Sequence, residues 1–502
     1  MHLRATPALI AFLGVLLSAV GGYAAETARP VYQATGIKLS EPTATSVVVW
    51  TRVTRDPEPA AHDRPVPIIT LFNRKTGAPV ALKDNATYAN ARPVVEYPPG
   101  ADLGSIRGAA PGADGQVQVR HRIAGSDAWT TAAWQDVDPK HDFTAAITLA
   151  GLKPGTRYEV EVAARSSVRA TATAHTVKGG FVTAPAPDAA ASVAFCVMSC
   201  QQYEDRDRPD GLAIYPSMLA LRPDFFVNTG DVVYYDHGPV HAVTTELARY
   251  HWARMFGYPT LREFHRQVGS YFMKDDHDVL TNDCEPGMKS GDLTFEEGLK
   301  IFHEQTAMTS SQYRTMRWGR HLQIWMVEGR DFRTSRAKEG RDAPTIWGAP
   351  QIAWLERTLA ESDATFRVLI TSTPIVGPDR PQKDDNYSNP GFAVEGARIR
   401  AMLGKFKNLT VITGDRHWQY VSRDKATGLE EWSVGAASDA HAGGWNEETP
   451  RPEHRFLRIK HGGFLSGQIK SVANDARFTL RLHDTAGKVL FESSAAAAAG
   501  VR

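Results

Sequence analysis

The chain has 502 residues, 42% of them hydrophobic and 23% charged. That is enough for a sizeable core in two or three domains. Its 57 basic and 56 acidic residues leave a net charge of +1, and no block of like charge runs along it. The balance excludes an electrostatic footprint for nucleic acid or for a lipid surface.

Residues 1–25 predict a Sec-type signal peptide. Arg4 precedes an apolar stretch from Ala8 to Val20, and small residues follow at Ala24 and Ala25. The stretch is short of the ~20 residues a membrane span needs; an uncleaved anchor is the alternative. An exported protein, periplasmic or extracellular, is expected, with no other membrane-span candidate.

Residues 26–184 predict an all-β sandwich of the fibronectin type III kind. SVVVWTRV (46–53) alternates like a half-buried strand. LKPGTRYEVEV (152–162) places Tyr158 just after a Pro-Gly turn at a strand entry, as in a tyrosine corner. The Pro-, Gly-, Ala- and Asp-rich part from 56 to 140 reads as long loops or an insertion. Residues 185–191 read as a linker.

The texture then changes. Strands are expected within 191–200, 224–231, 269–278, 322–333, 366–376 and 408–418, and again across 430–495. Helices are expected over 212–221, 244–258 and 348–362. This alternation predicts a layered α/β domain over 192–495, with chemistry in the loops at strand ends. The tail from Glu492 onward is expected to be disordered.

Strand after strand ends in a potential metal ligand: Cys200, then Asp231 with Tyr234, then Asp276-His277-Asp278, then Asp415 with His417. A lone Gly-Asp is usually a turn, and a lone Asp-x-His is usually surface. The recurrence argues for one site, because clustered carboxylates repel unless a cation neutralises them. Three cysteines leave at least one thiol unpaired. Cys196 and Cys200 on one strand would sit roughly 13 Å apart at ~3.3 Å per residue, too far for a bridge. A Cys200–Cys284 bridge stays open, and Cys196 reads as an inert core thiol.

The ordered pattern SCQ, NTGDVVYYD, DDHDVLTND and TGDRHW resembles the alkaline phosphatase D family of calcineurin-like metallophosphatases. The likeness runs from about 32 to 490 and implies an αββα metallophosphatase domain after the β-sandwich. Cys200 stands where the superfamily has the first Asp of D-x-H, and Asp231 of Gly-Asp would bridge two metals. DDHD aligns with G-N-H-D, putting Asp276 in place of the Asn and His277 at the catalytic position. GDRH aligns with G-H-x-H, putting Asp415 in place of a His and keeping His417.

The resemblance implies Fe3+ bound by Cys200, Asp231, Tyr234 and His417. It implies Ca2+ nearby on Asp231, Asp276, Asp415 and Asn282. Thiolate and tyrosinate suit a trivalent transition metal, and an all-oxygen set suits Ca2+ or Mg2+. Zn2+ is the alternative at the Cys/His position. The sequence departs from the superfamily at Ser372 and Thr373, where many members have histidine, and at Gln202. It also departs at Glu328 and Phe332 in VEGRDFR, whose Arg330 and Arg333 read equally as phosphate ligands or structural ion-pair partners.

The mechanism expected is in-line attack by metal-activated water on a phosphate ester. His277 would protonate the leaving oxygen, with Asp278 orienting or charge-balancing it. The expected activity is phosphomonoester hydrolysis by an alkaline phosphatase, with diesters as further substrates. The alternatives are a phosphodiesterase acting on phospholipid head groups or teichoic acid, and a non-catalytic secreted binding protein with a structural metal site. The substrate would be a small or polymeric phosphate ester. Oligomeric state is not encoded in any feature of the sequence.

Overall fold

A computed structural model describes residues 29–166, 174–308, 312–335, 344–446, 450–472 and 475–497. The expected signal peptide lies outside the described residues. The architecture is the expected one, a β-sandwich joined to an αββα domain.

Two sheets form the centre. The first has nine strands, and its middle is parallel: Val193–Met198, Phe225–Asn228 and Gly269–Phe272. The second has seven, with a parallel middle of Leu322–Val327, Phe366–Thr371 and Leu409–Thr413. These runs are apolar on both faces, as parallel strands covered on both sides require. Between the sheets lie Val193, Phe195, Ile324, Val368 and Ile412. Helices Thr245–Phe256, Pro259–His265 and Phe295–Thr306 contribute to the core on the outer face of the first sheet. Helices Gly348–Glu361 and Ala393–Leu403 cover the second.

The N-terminal segment is grafted onto the first sheet. Strand Ile37–Ser40 pairs in parallel with Gly269–Phe272, then antiparallel with Ser46–Arg52, which pairs with Thr144–Ala150. One sheet thus runs through both segments. Strands Gln116–Ile123, Arg157–Arg165 and His175–Val182 face it across a core of Val47, Val49, Val119, Val160 and Val162. The hydroxyl of buried Tyr158 accepts from the Lys153 amide at 2.8 Å, closing the expected corner.

Two expectations are corrected and one is refined. The 56–140 stretch is mostly loop, as expected, but it carries the sandwich strand Gln116–Ile123 and a three-stranded sheet of Ile68–Asn73, Pro79–Val80 and Ala91–Glu96. Leu71 and Ala91 of that sheet, with Tyr88 from the loop before its last strand, join the core on the outer face of the first central sheet. The tail is ordered as far as Ala497, because Val489–Ala496 pairs with Asp475–Asp484. All three cysteines are free and buried, so no Cys200–Cys284 bridge forms.

Candidate metal centre

The parallel strands of both sheets deliver their C-terminal ends to one cleft. Cys200, Asp231 and Asp415 each follow such a strand in the left-handed backbone region, at φ of 55°, 53° and 60°. That region is uncommon for residues other than glycine and marks functional turns.

The expected ligands meet there. Cys200, Asp231 and His417 offer donor atoms within 4.8 Å of one another. So do Asp231, Asp276 and His277, and so do Asp231, Asp275 and Asp415. Asp231 is common to all three groups, the position of a bridging ligand. The Cys200 thiol donates to Asp231 at 3.4 Å, and the Tyr234 hydroxyl donates to the same Oδ2 at 3.0 Å. Tyr234 Oη also lies 3.3 Å from His417 Nε2. Asn282 lines the cleft, with its amide side chain turned to Asp283 at 2.8 Å. Ser372 and Thr373 are buried near Gly329.

The residues fit a metal. Asp231 Oδ1, Asp275 Oδ2 and Asp276 Oδ1 are buried without a hydrogen-bond partner. Burial, with Asp231 and Asp415 adding to it, pushes the Cys200 thiol well above its ordinary value. Burial and then Asp231 raise the Tyr234 phenol. Burial raises Asp415 to about 6 against the pull of Arg416. A bound cation reverses each of these penalties. Burial and then His441 hold the His417 imidazole well below its usual range, so it is neutral and free to ligate.

The two buried arginines have structural partners. Arg330 Nε is 2.5 Å from Asp275 Oδ1, and Arg416 Nε is 2.5 Å from Asp379 Oδ2. Arg333 donates to the Asp385 carbonyl at 3.1 Å. Lys274 lies 3.0 Å from both Glu328 and Asp331. These contacts hold the ligand loops in place.

His277 faces the cleft, and the carboxylate that touches it is Asp236, at 2.5 Å from Nδ1. Asp278 does not orient it. Asp278 instead accepts from the amides of Asp231, Val232, Val233 and Asp275 at 2.7–3.0 Å. Burial disfavours the imidazolium of His277, but Asp236, Asp276 and Asp231 outweigh it and raise its pKa well above the ordinary value.

Sequence reasoning missed Asp275, Asp236, His441 and Asp205. Asp275 and Asp236 sit inside the DDHD and GDVVYYD runs, so a signal for them existed. His441 had none, since it reaches the cleft from a loop after strand Glu430–Val434. Arg380 and Lys383 also line the cleft, whose volume is about 490 Å³.

Solved structures share this fold. The structure of PhoD matches with a TM-score of 0.66 at 16% identity, over 94% of this chain and 90% of that one. The purple acid phosphatase PPD1 from yellow lupin (Lupinus luteus) seeds matches with a TM-score of 0.57 at 12% identity, over 91% and 73%. No curated protein matches the sequence significantly. The fold is of the metallophosphatase type, and its cleft gathers candidate metal ligands. Residues 195–436 match the family model of the PhoD-like phosphatases.

Proposed function

We propose that the protein is an exported phosphoesterase that hydrolyses phosphate monoesters and accepts diesters. One observation carries this reading. Asp231 is shared by three ligand groups, and the His277–Asp236 pair faces the same cleft.

Cys200, Asp231, Tyr234 and His417 would hold one ion, ferric iron by the chemistry of the donors. Asp231, Asp275, Asp276, Asp415 and Asn282 would hold calcium beside it; zinc and magnesium are the alternatives. Bound metal supplies a Lewis acid that lowers the pKa of water and neutralises charge on phosphorus. His277, with Nδ1 held by Asp236, keeps Nε2 for the leaving oxygen and donates the proton. Arg380 and Lys383 give the cleft a cationic wall for phosphate oxygens. The N-terminal apolar stretch supports export. Among the described residues no helix is long and apolar enough to cross a membrane.

The test is hydrolysis of p-nitrophenyl phosphate and bis-p-nitrophenyl phosphate, side by side at alkaline pH. Protein as isolated, chelated protein and His277→Ala would be compared. Chelator-sensitive hydrolysis that falls roughly 100-fold or more in the variant is expected. The ratio of the two rates separates monoesterase from diesterase. Folded, metal-loaded protein that cleaves neither ester would refute the reading in favour of a binding protein.

A further inference from the structure

Tyr234 is gripped from a side that the ligand set does not explain. His441 Nε2 lies 2.8 Å from Tyr234 Oη, and its Nδ1 lies 2.8 Å from Asp205 Oδ2. The His441 ring is edge-on to Tyr234 at 4.8 Å and sits 4.2 Å from the ring of His417. Its side chain is 6% exposed. Asp205 ends the short 3-10 turn Tyr203–Asp205, five residues after Cys200. His441 belongs to none of the ligand groups found among the described residues. It touches a ligand instead, and a carboxylate fixes its ring.

We propose that Asp205 and His441 form a positioning pair that holds the Tyr234 oxygen in its metal-ligating pose. The inference rests on the reading of Tyr234 as a ligand. A phenol swings about two side-chain torsions, and its one hydrogen bond to Asp231 alone would leave its oxygen free to follow that carboxylate. A second contact, from a ring that is itself anchored, fixes the oxygen's direction. Such outer contacts tune the ligand's electron donation as well as its place. Asp205 follows Cys200 in the chain, so the turn that sets the thiol also sets the far end of the pair.

The test uses the full chain loaded with ferric iron, read by the visible tyrosinate-to-iron charge-transfer band and by iron affinity. His441→Ala is expected to shift the band in energy and to weaken iron binding roughly 10- to 100-fold. His441→Gln should recover part of both. Asp205→Asn, remote from the ion, should shift the band in the same direction by less. A purely structural role would lower folded yield but leave the band where it is. An unshifted band in both His441→Ala and Asp205→Asn overturns the proposal. Loss of the ion in His441→Ala with no change in Asp205→Asn also overturns it, since His441 is then itself a ligand. Wild-type protein that hydrolyses p-nitrophenyl phosphate but shows no tyrosinate band refutes the pair and leaves the phosphoesterase standing. Failure of hydrolysis with the band and its shifts intact does the reverse.

Discussion

Two aspartates in the site show how position decides role. Asp278 spends its carboxylate on four backbone amides of the Asp231 and Asp275 turns, while Asp236 holds His277. Asp278→Asn therefore replaces one acceptor oxygen, which takes two of the four bonds, with an NH2 donor facing amides. It should destabilise the fold by about 3 kcal/mol or more in urea unfolding. Asp236 serves a single backbone amide, that of Asn282, so Asp236→Asn should lower the urea midpoint less than Asp278→Asn and lower kcat about 100-fold. A second residue-scale effect lies away from the cleft. His265 is buried among Phe226, Phe256, Phe264 and Phe272, and burial, with Lys38 adding to it, lowers its pKa from 6.5 to about 3. Between those values the unfolded chain binds a proton that the folded chain refuses, so stability is lost as pH falls from 6.5 towards 3. His265→Leu should flatten the decline in urea midpoint between pH 7 and pH 5. An unchanged decline in the variant would assign it to other groups.

At the scale of elements, packing overrides local preference. Helix Phe295–Thr306 begins with a capping box between Thr294 and Glu297 and buries Phe295, Ile301 and Phe302. Gly298 lies in its first turns. Alanine there would stabilise an isolated helix by about 1 kcal/mol. Here the added Cβ would stand 1.8 Å from the Val279 carbonyl oxygen, in the loop that follows His277. Gly298→Ala should therefore lower Tm, with a net cost of about 1–3 kcal/mol, and should lower activity by shifting that loop; a raised Tm would show that the loop yields freely. The strands that end in ligands were legible because doubly buried runs such as VAFCVM and LTVIT have no other reading. Helices Pro259–His265, Phe295–Thr306 and Ala393–Leu403 were not read. The first has only seven residues and opens on a proline, and the last carries little one-sided apolar pattern; both are held by what they pack on.

Across the whole molecule, the two halves share a sheet and a core. Buried Glu41 pairs with Arg314, which also donates to the Phe272 carbonyl at 2.9 Å. The Asp84–Tyr88 turn reaches the catalytic half: the Asn85 amide donates to the Asp236 carbonyl at 3.2 Å, and Thr87 meets Thr281 at 2.8 Å. A fragment of residues 192–495 would lose the partner of strand Gly269–Phe272 and bare both an edge and apolar surface. It should aggregate or express insolubly where the longer chain is soluble, as size-exclusion chromatography would show. A monodisperse, active fragment would refute that dependence.

The sequence by itself determined the layered class and the strand ends that carry the candidate ligands. Both are local: hydrophobic runs fix the strands, and the residue after each run is necessarily at the sheet edge. The tertiary structure alone decided that Asp236 serves His277, that Asp275 joins Asp231 and Asp415, and that His441 reaches Tyr234 from 207 residues away. Those pairings depend on how the loops of two sheets converge, and loop direction is set by packing that no local pattern records.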